Sequence, residues 1–145
     1  MSAQSTQRLL IVDDTKLLRN LMAEGLRQRF PDIEVIEADG IREGYRRAQE
    51  YRPGLAILDV CMPDGNGLEL SRWIRDELPG IVVCICTLHD DPEFRQAAAE
   101  SGAAYFIAKQ HGFWLDAERL VASVFGGASG CGQEQRVEIE ATTSQ

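Results

Sequence analysis

Short apolar runs alternate along this chain with longer stretches in which apolar residues recur at helical spacing. Arg8 to Val12 (RLLIV), Leu55 to Leu58 (LAIL) and Ile81 to Cys86 (IVVCIC) contain no polar alternation. Runs of that kind suit central parallel strands covered on both faces. Ile33 to Ile36 sets Ile33 and Val35 against Glu34, as an edge or less buried strand does, and Ala103 to Ala108 (AAYFIA) is a fifth, short strand. The intervening segments read as helices. Thr15 to Arg29 carries Leu17, Leu18, Leu21, Met22 and Leu26 at helical spacing and is closed by Phe30-Pro31. Gly40 to Tyr51 is a helix with a polar outside, and Gly67 to about Leu78 opens on Asn66 and Glu69, spaced as a capping box. His89-Asp90-Asp91-Pro92-Glu93 sets up a fourth helix start, with proline at the first helical position, and that helix runs to about Glu100. A last helix from about Gly112 to Phe125 is expected to bury Trp114, Leu115, Val121 and Val124 on one side.

Regular alternation of five strands and five helices over residues 8 to 125 argues for an α/β fold: a doubly wound, five-stranded parallel sheet of order 2-1-3-4-5, flavodoxin-like. In that order the carboxyl ends of strands 1, 3, 4 and 5 lie side by side, where open α/β sheets place their ligands. Those ends carry Asp13-Asp14, Asp59, Thr87 and Lys109. Converging carboxylates repel by about 4 kcal/mol per pair of unit charges 4 Å apart at an effective dielectric of 20, so the cluster needs cations. Lys109 supplies one positive charge and Mg²⁺ two, and an all-oxygen pocket suits Mg²⁺. Such a site can accept a phosphoryl group: Asp59 would attack in line, Mg²⁺ and Lys109 would neutralise the transferring oxygens, and Thr87 would hydrogen-bond the product. Each residue has a plainer role available, as a turn cap, a strand end or a solvated charge. Four such coincidences at adjacent strand ends are harder to accept than one site.

Composition narrows the reading. At 145 residues, 44% hydrophobic and 26% charged, the chain suits one globular domain with a real core. No apolar run approaches the roughly 20 residues that span a bilayer, and residues 1 to 7 lack the features of a secretory signal, so a cytoplasmic location without membrane contact is expected. The formal charge of −8 opposes direct nucleic-acid binding in the absence of a basic patch. Cys61, Cys84, Cys86 and Cys131 form no CxxC pair and have no zinc spacing to His89 or His111; Cys84 and Cys86 should face one side of the sheet as small buried hydrophobes. Residues 1 to 7 are read as a disordered start and the glycine-rich, polar residues 126 to 145 as a flexible tail, in which Val137 to Glu140 alternate as an edge strand would.

Val12-Asp13-Asp14, the run from Leu58-Asp59 through Met62-Pro63-Asp64-Gly65-Asn66-Gly67, Cys86-Thr87 and Ser101-Gly102 through Lys109 together resemble the receiver domain of two-component response regulators, over residues 8 to 125. The resemblance implies that Asp59 is the phosphoacceptor and that Asp13 and Asp14 hold Mg²⁺, helped by Asp59 and the backbone carbonyl of Cys61. It implies further that Thr87 and Phe106, three residues before Lys109, form a switch pair. Two departures stand out, beside two variable positions. Gln110 follows the lysine where the family usually has proline, leaving a strained or a trans turn open; a cis bond without proline costs ~3 kcal/mol. Leu88 is bulky where the family is small, and would narrow access to Asp59. Cys61 and His89 occupy the flanking positions that tune the lifetime of the phosphorylated state.

The chain is therefore expected to be a phospho-accepting signalling switch rather than an enzyme. It would take phosphate from a histidine kinase or phosphotransfer protein and act through protein contact, with the fourth helix, fifth strand and fifth helix as the contact face and possible dimer surface; Phe94, Arg95, Tyr105 and Trp114 fall there. No output domain fits after Phe125. A phosphatase working through an aspartyl-phosphate would share the metal, lysine and threonine, but would place an acid two residues after the nucleophile, where Cys61 stands. The remaining reading is a phosphorylation-independent interaction module or the receiver fragment of a longer transcriptional regulator, which Leu88 and Gln110 keep open.

Overall fold

The computed structural model describes residues 7–110 and 112–126. It contains β1 (Gln7–Val12), α1 (Lys16–Arg29), β2 (Ile33–Ala38), α2 (Ile41–Tyr51), β3 (Leu55–Leu58), α3 (Gly67–Glu77), β4 (Val82–Thr87), α4 (Pro92–Glu100), β5 (Tyr105–Ala108) and α5 (Phe113–Val121). A π-helical turn, Ala122–Gly126, continues α5. The five strands form one parallel sheet in the order β2-β1-β3-β4-β5, the flavodoxin-like arrangement. The expected disordered start and flexible tail fall outside the described residues, apart from Gln7, which opens β1, and Gly126, which ends the π-helical turn.

The unbroken apolar strands are buried because both faces are covered. Alternate residues of each strand feed two cores. Leu10, Val12, Ala56, Leu58, Val83, Ile85 and Phe106 meet α2, α3 and α4, with Ala48, Leu70, Ile74 and Ala98 from the helices. Leu9, Ile11, Ile57, Cys84, Cys86 and Ile107 meet α1 and α5, with Met22, Leu26, Ala117 and Leu120. Cys84 and Cys86 thus share one face. β2 is the edge strand beside β1, and Glu34 and Glu37 are its less buried positions. Two helix starts follow their sequence signals: the Asn66 side chain accepts from the Leu68 N–H at 2.7 Å, and Asp91 accepts from the Phe94 N–H at 3.0 Å with Pro92 at the first helical position.

Two helical faces differ from expectation. Leu17 and Leu21 are 70% and 61% exposed, because the buried stripe of α1 runs through Arg19, Met22, Ala23 and Leu26. Each residue step rotates a helix by about 100°, which turns these two leucines away from the sheet. In α5 the stripe is Phe113, Ala117, Leu120 and Val121, so Trp114 and Leu115 are half exposed rather than buried. β5 begins at Tyr105 rather than Ala103, and β4 extends through Thr87. No helix among the described residues is long and apolar enough to cross a membrane.

Candidate acidic site at the strand ends

Sheet register brings the site together. Val12 pairs with Leu58, Leu58 with Ile85 and Ile85 with Phe106, so β1 and β3 end level with each other, and β4 and β5 run two residues further, to Thr87 and Ala108. The residues that follow these ends are thereby held at one edge. The Asp59 N–H donates to the Val12 carbonyl at 2.9 Å, the Asp13 N–H to the Ala38 carbonyl at 3.1 Å, and the Lys109 N–H to the Thr87 carbonyl at 2.8 Å. Behind Asp59 the chain turns so tightly into α3 that a Cβ at Gly67 would run into the Asp59 carbonyl oxygen. Between them lies a small antiparallel hairpin, Cys61–Met62 against Gly65–Asn66, which the apolar pattern did not reveal.

Carboxylate oxygens of Asp13, Asp14 and Asp59 lie within 4.8 Å of one another. The Lys109 Nζ donates to Asp13 Oδ2 at 2.7 Å and to Asp59 Oδ2 at 3.3 Å, and all three of those side chains are largely enclosed. The remaining oxygen of each is also engaged: Asp13 Oδ1 accepts from the Thr15 N–H at 2.9 Å, and Asp59 Oδ1 from the Val60 N–H at 2.7 Å. Asp14 faces solvent. Arg19 braces the β1 end, donating to the Asp13 carbonyl at 2.7 Å and pairing with Glu37 at 3.0 Å.

Burial pushes the Asp59 carboxyl above its ordinary value; the Lys109 ammonium pulls it back, and the Asp13 charge adds to the rise. Burial pulls Lys109 down, but its hydrogen bond to Asp13 and the charges of Asp59 and Asp13 outweigh this and leave it raised. Three carboxylates against one ammonium leave two negative charges in excess. The donors are hard oxygens close enough together to share one ion, the chemistry of a divalent cation such as Mg²⁺, so the residues present fit that ion.

Thr87 is buried, and its Oγ1 accepts from the His89 N–H at 3.2 Å. It faces the same side of the sheet as Phe106, whose partner in register, Ile85, lies two residues before it. Tyr105 packs against the opposite core. Leu88 is exposed beside the site. Cys61 Sγ and His89 Nε2 are 3.4 Å apart, and the His89 ring stacks on Phe94 with centroids 4.6 Å apart. Cys61 is exposed, whereas Cys84 and Cys86 are buried; burial pushes the Cys86 thiol up to about 12 and Cys84 well above its ordinary value. No peptide bond among the described residues is cis, so the Lys109–Gln110 bond is trans. Gln110 Nε2 reaches Asp90 Oδ2 at 3.5 Å. Two contacts escaped the sequence: Arg95 over Phe106, and Asp64 at the start of α2. The glycine at position 40, where α2 needed a capping side chain, was the available signal for the second.

The chain is similar to known proteins over most of its described length. The chain is similar to the chemotaxis protein CheY of Halobacterium salinarum, 31% identical, with 71% of this chain and 84% of that protein covered. It is also similar to the DNA-binding transcriptional activator DevR/DosR of Mycobacterium tuberculosis, 32% identical over 70% of this chain. It spans only about half the length of DevR/DosR, 47%. Among solved structures, a LuxR-family two-component response regulator from Aurantimonas sp. SI85-9A1 superposes with a TM-score of 0.73 at 29% identity, covering 83% of this chain and 86% of that one. The family model of the response regulator receiver domain matches residues 9–124, the sheet and its helices together, and the chain belongs to that family.

Proposed function

We propose that this receiver domain is a phospho-accepting switch in which Asp59 receives a phosphoryl group from a histidine kinase or a histidine phosphotransfer protein. The observation that carries the reading is the shared ammonium: Lys109 Nζ lies 2.7 Å from Asp13 Oδ2 and 3.3 Å from Asp59 Oδ2, among carboxylates with a two-charge deficit of cation. Asp13, Asp14, Asp59 and the Cys61 carbonyl would hold Mg²⁺. When bound, the ion offsets the carboxylate repulsion and the charge on the phosphoryl oxygens. The Asp59 carboxylate forms the O–P bond as the donor's N–P bond breaks, and that electron pair stays on the donor imidazole. Lys109 neutralises one phosphoryl oxygen and Thr87 hydrogen-bonds another. Drawing Thr87 toward the phosphoryl group vacates space on the face it shares with Phe106, which makes these two the switch pair. Output is by protein contact across α4, β5 and α5, in the cytoplasm, from a receiver unit spanning residues 8 to 125. Turnover is limited to phosphotransfer to, and hydrolysis from, Asp59.

Acetyl phosphate or a cognate kinase with Mg²⁺ should add one hydroxylamine-sensitive phosphoryl group, seen by intact mass and absent from Asp59→Asn. A wild-type chain that stays unmodified with its own kinase would sink the reading. The half-length match to DevR/DosR supports a second reading, in which the same switch is the receiver portion of a longer transcriptional regulator.

A further inference from the structure

Asp64 stands with Pro63 at the tip of the hairpin that follows Asp59. Its carboxylate reaches to the start of α2, where Oδ1 accepts from the Ile41 N–H at 2.8 Å and Oδ2 from the Arg42 N–H at 3.1 Å. A helix start leaves such N–H groups without intrahelical partners, and a Ser, Thr, Asp or Asn at the capping position usually supplies the acceptor. Here the capping residue is Gly40, which has no side chain to offer. The acceptor therefore comes from 23 residues beyond Ile41. Those two N–H groups hold the Asp64 carboxyl below its ordinary value.

The fit on both sides is close. A Cβ on Gly40 would approach the Asp64 carboxylate to between 2.9 and 3.2 Å. A Cβ on Gly65, itself at φ +156°, would come within 3.1 Å of Ile41. Glycine at both positions is what lets the hairpin tip seat on α2. The start of α2 follows β2, whose last residue, Ala38, takes the N–H of Asp13. One carboxylate thus fastens the hairpin that carries Cys61 to the corner from which Asp13 hangs.

We propose that Asp64 is a positioning residue for the acidic site: by capping α2 it fixes the hairpin whose Cys61 carbonyl completes the cation's oxygen set, and so sets the affinity for Mg²⁺. The proposal rests on the reading of Asp13, Asp14, Asp59 and Cys61 as the Mg²⁺ ligands. A cap that served only α2 would move stability alone, and a second substitution separates the two roles. In Asp64→Ala/Gly40→Ser the new hydroxyl caps α2 locally, in the room the carboxylate has left, while the hairpin stays untied. The φ of −174° at position 40 is extended backbone that serine adopts freely.

The experiment is Mg²⁺ titration by calorimetry, with thermal melting in EDTA as the measure of stability. Asp64→Ala should melt lower than wild type and bind Mg²⁺ about tenfold more weakly, the usual scale for losing an outer support of a metal site. The double variant should regain the melting temperature and keep the weak binding. Asp64→Asn, which retains one acceptor oxygen, should fold and fall between wild type and Asp64→Ala in affinity. Recovery of Mg²⁺ affinity together with stability in the double variant would overturn the proposal, as would wild-type affinity in Asp64→Ala or Asp64→Asn. A wild-type chain that binds no Mg²⁺ at all would remove the underlying site with it. Binding that is lost in Asp13→Asn but indifferent to position 64 would remove the positioning role alone.

Discussion

The guanidinium carbon of Arg95 lies 4.6 Å from the centroid of the Phe106 ring, and Asp90 holds it there by accepting from Nε at 2.9 Å and Nη2 at 2.7 Å. Because Gln110 also reaches Asp90, the loops after β4 and β5 are joined over the aromatic member of the proposed switch pair.

That cover has a measurable cost when it is removed. Arg95→Ala should lower unfolding free energy by about 1 kcal/mol, the scale of a partly desolvated cation–π contact, as read by urea denaturation. Arg95→Lys should recover only part of it, since the flat guanidinium serves ring and carboxylate at once. Full recovery with lysine would show that charge alone matters.

A second prediction concerns pH. The Asp59 carboxyl is raised in the folded chain, chiefly by burial. Above the unfolded value, near pH 4, the folded state therefore holds a proton that the unfolded state has lost, and stability falls as pH rises through that window. Asp59→Asn should melt higher than wild type near neutral pH in EDTA, with the advantage gone below about pH 4. Mg²⁺ should raise the melting temperature of wild type more than that of the variant. An Asp59→Asn advantage that persisted unchanged at low pH would point to packing rather than charge.

Two glycines should respond with opposite signs. Gly67→Ala drives a carbon into the Asp59 carbonyl and should cost about 3 kcal/mol or more, since backbone on both sides must shift. Gly25→Ala lies within α1 with nothing inside 4 Å of the added carbon, and should stabilise by roughly 0.5–1 kcal/mol. Chemical denaturation of the two variants checks both values.

The order of elements was legible because the central strands have no polar alternation, which only a sheet covered on both faces allows. The residues meeting at the site were legible for the same reason: Asp13, Asp59 and Lys109 each follow an apolar run directly, and the sheet register then makes them neighbours. Helix faces were less legible. Leu17, Leu21, Trp114 and Leu115 are as apolar as the residues that pack, and the sheet contact selected Met22, Phe113 and Ala117 instead. Spacing alone leaves a rotation of one residue undecided. The ties of Asp64 to α2 and Arg95 to Phe106 join segments distant in sequence or element; Gly40 signals that the cap of α2 comes from elsewhere but does not name Asp64, and the Arg95 contact leaves no local pattern to read.

The three described cysteines differ in a way that can be put to use. Cys84 and Cys86 are sealed under the sheet with their thiols protonated, while Cys61 is exposed two residues beyond Asp59. Once Cys131 is replaced by serine, an alkylating fluorophore should attach to the folded chain at one place. Its emission would then follow, in real time, the loop beside the proposed phosphoacceptor.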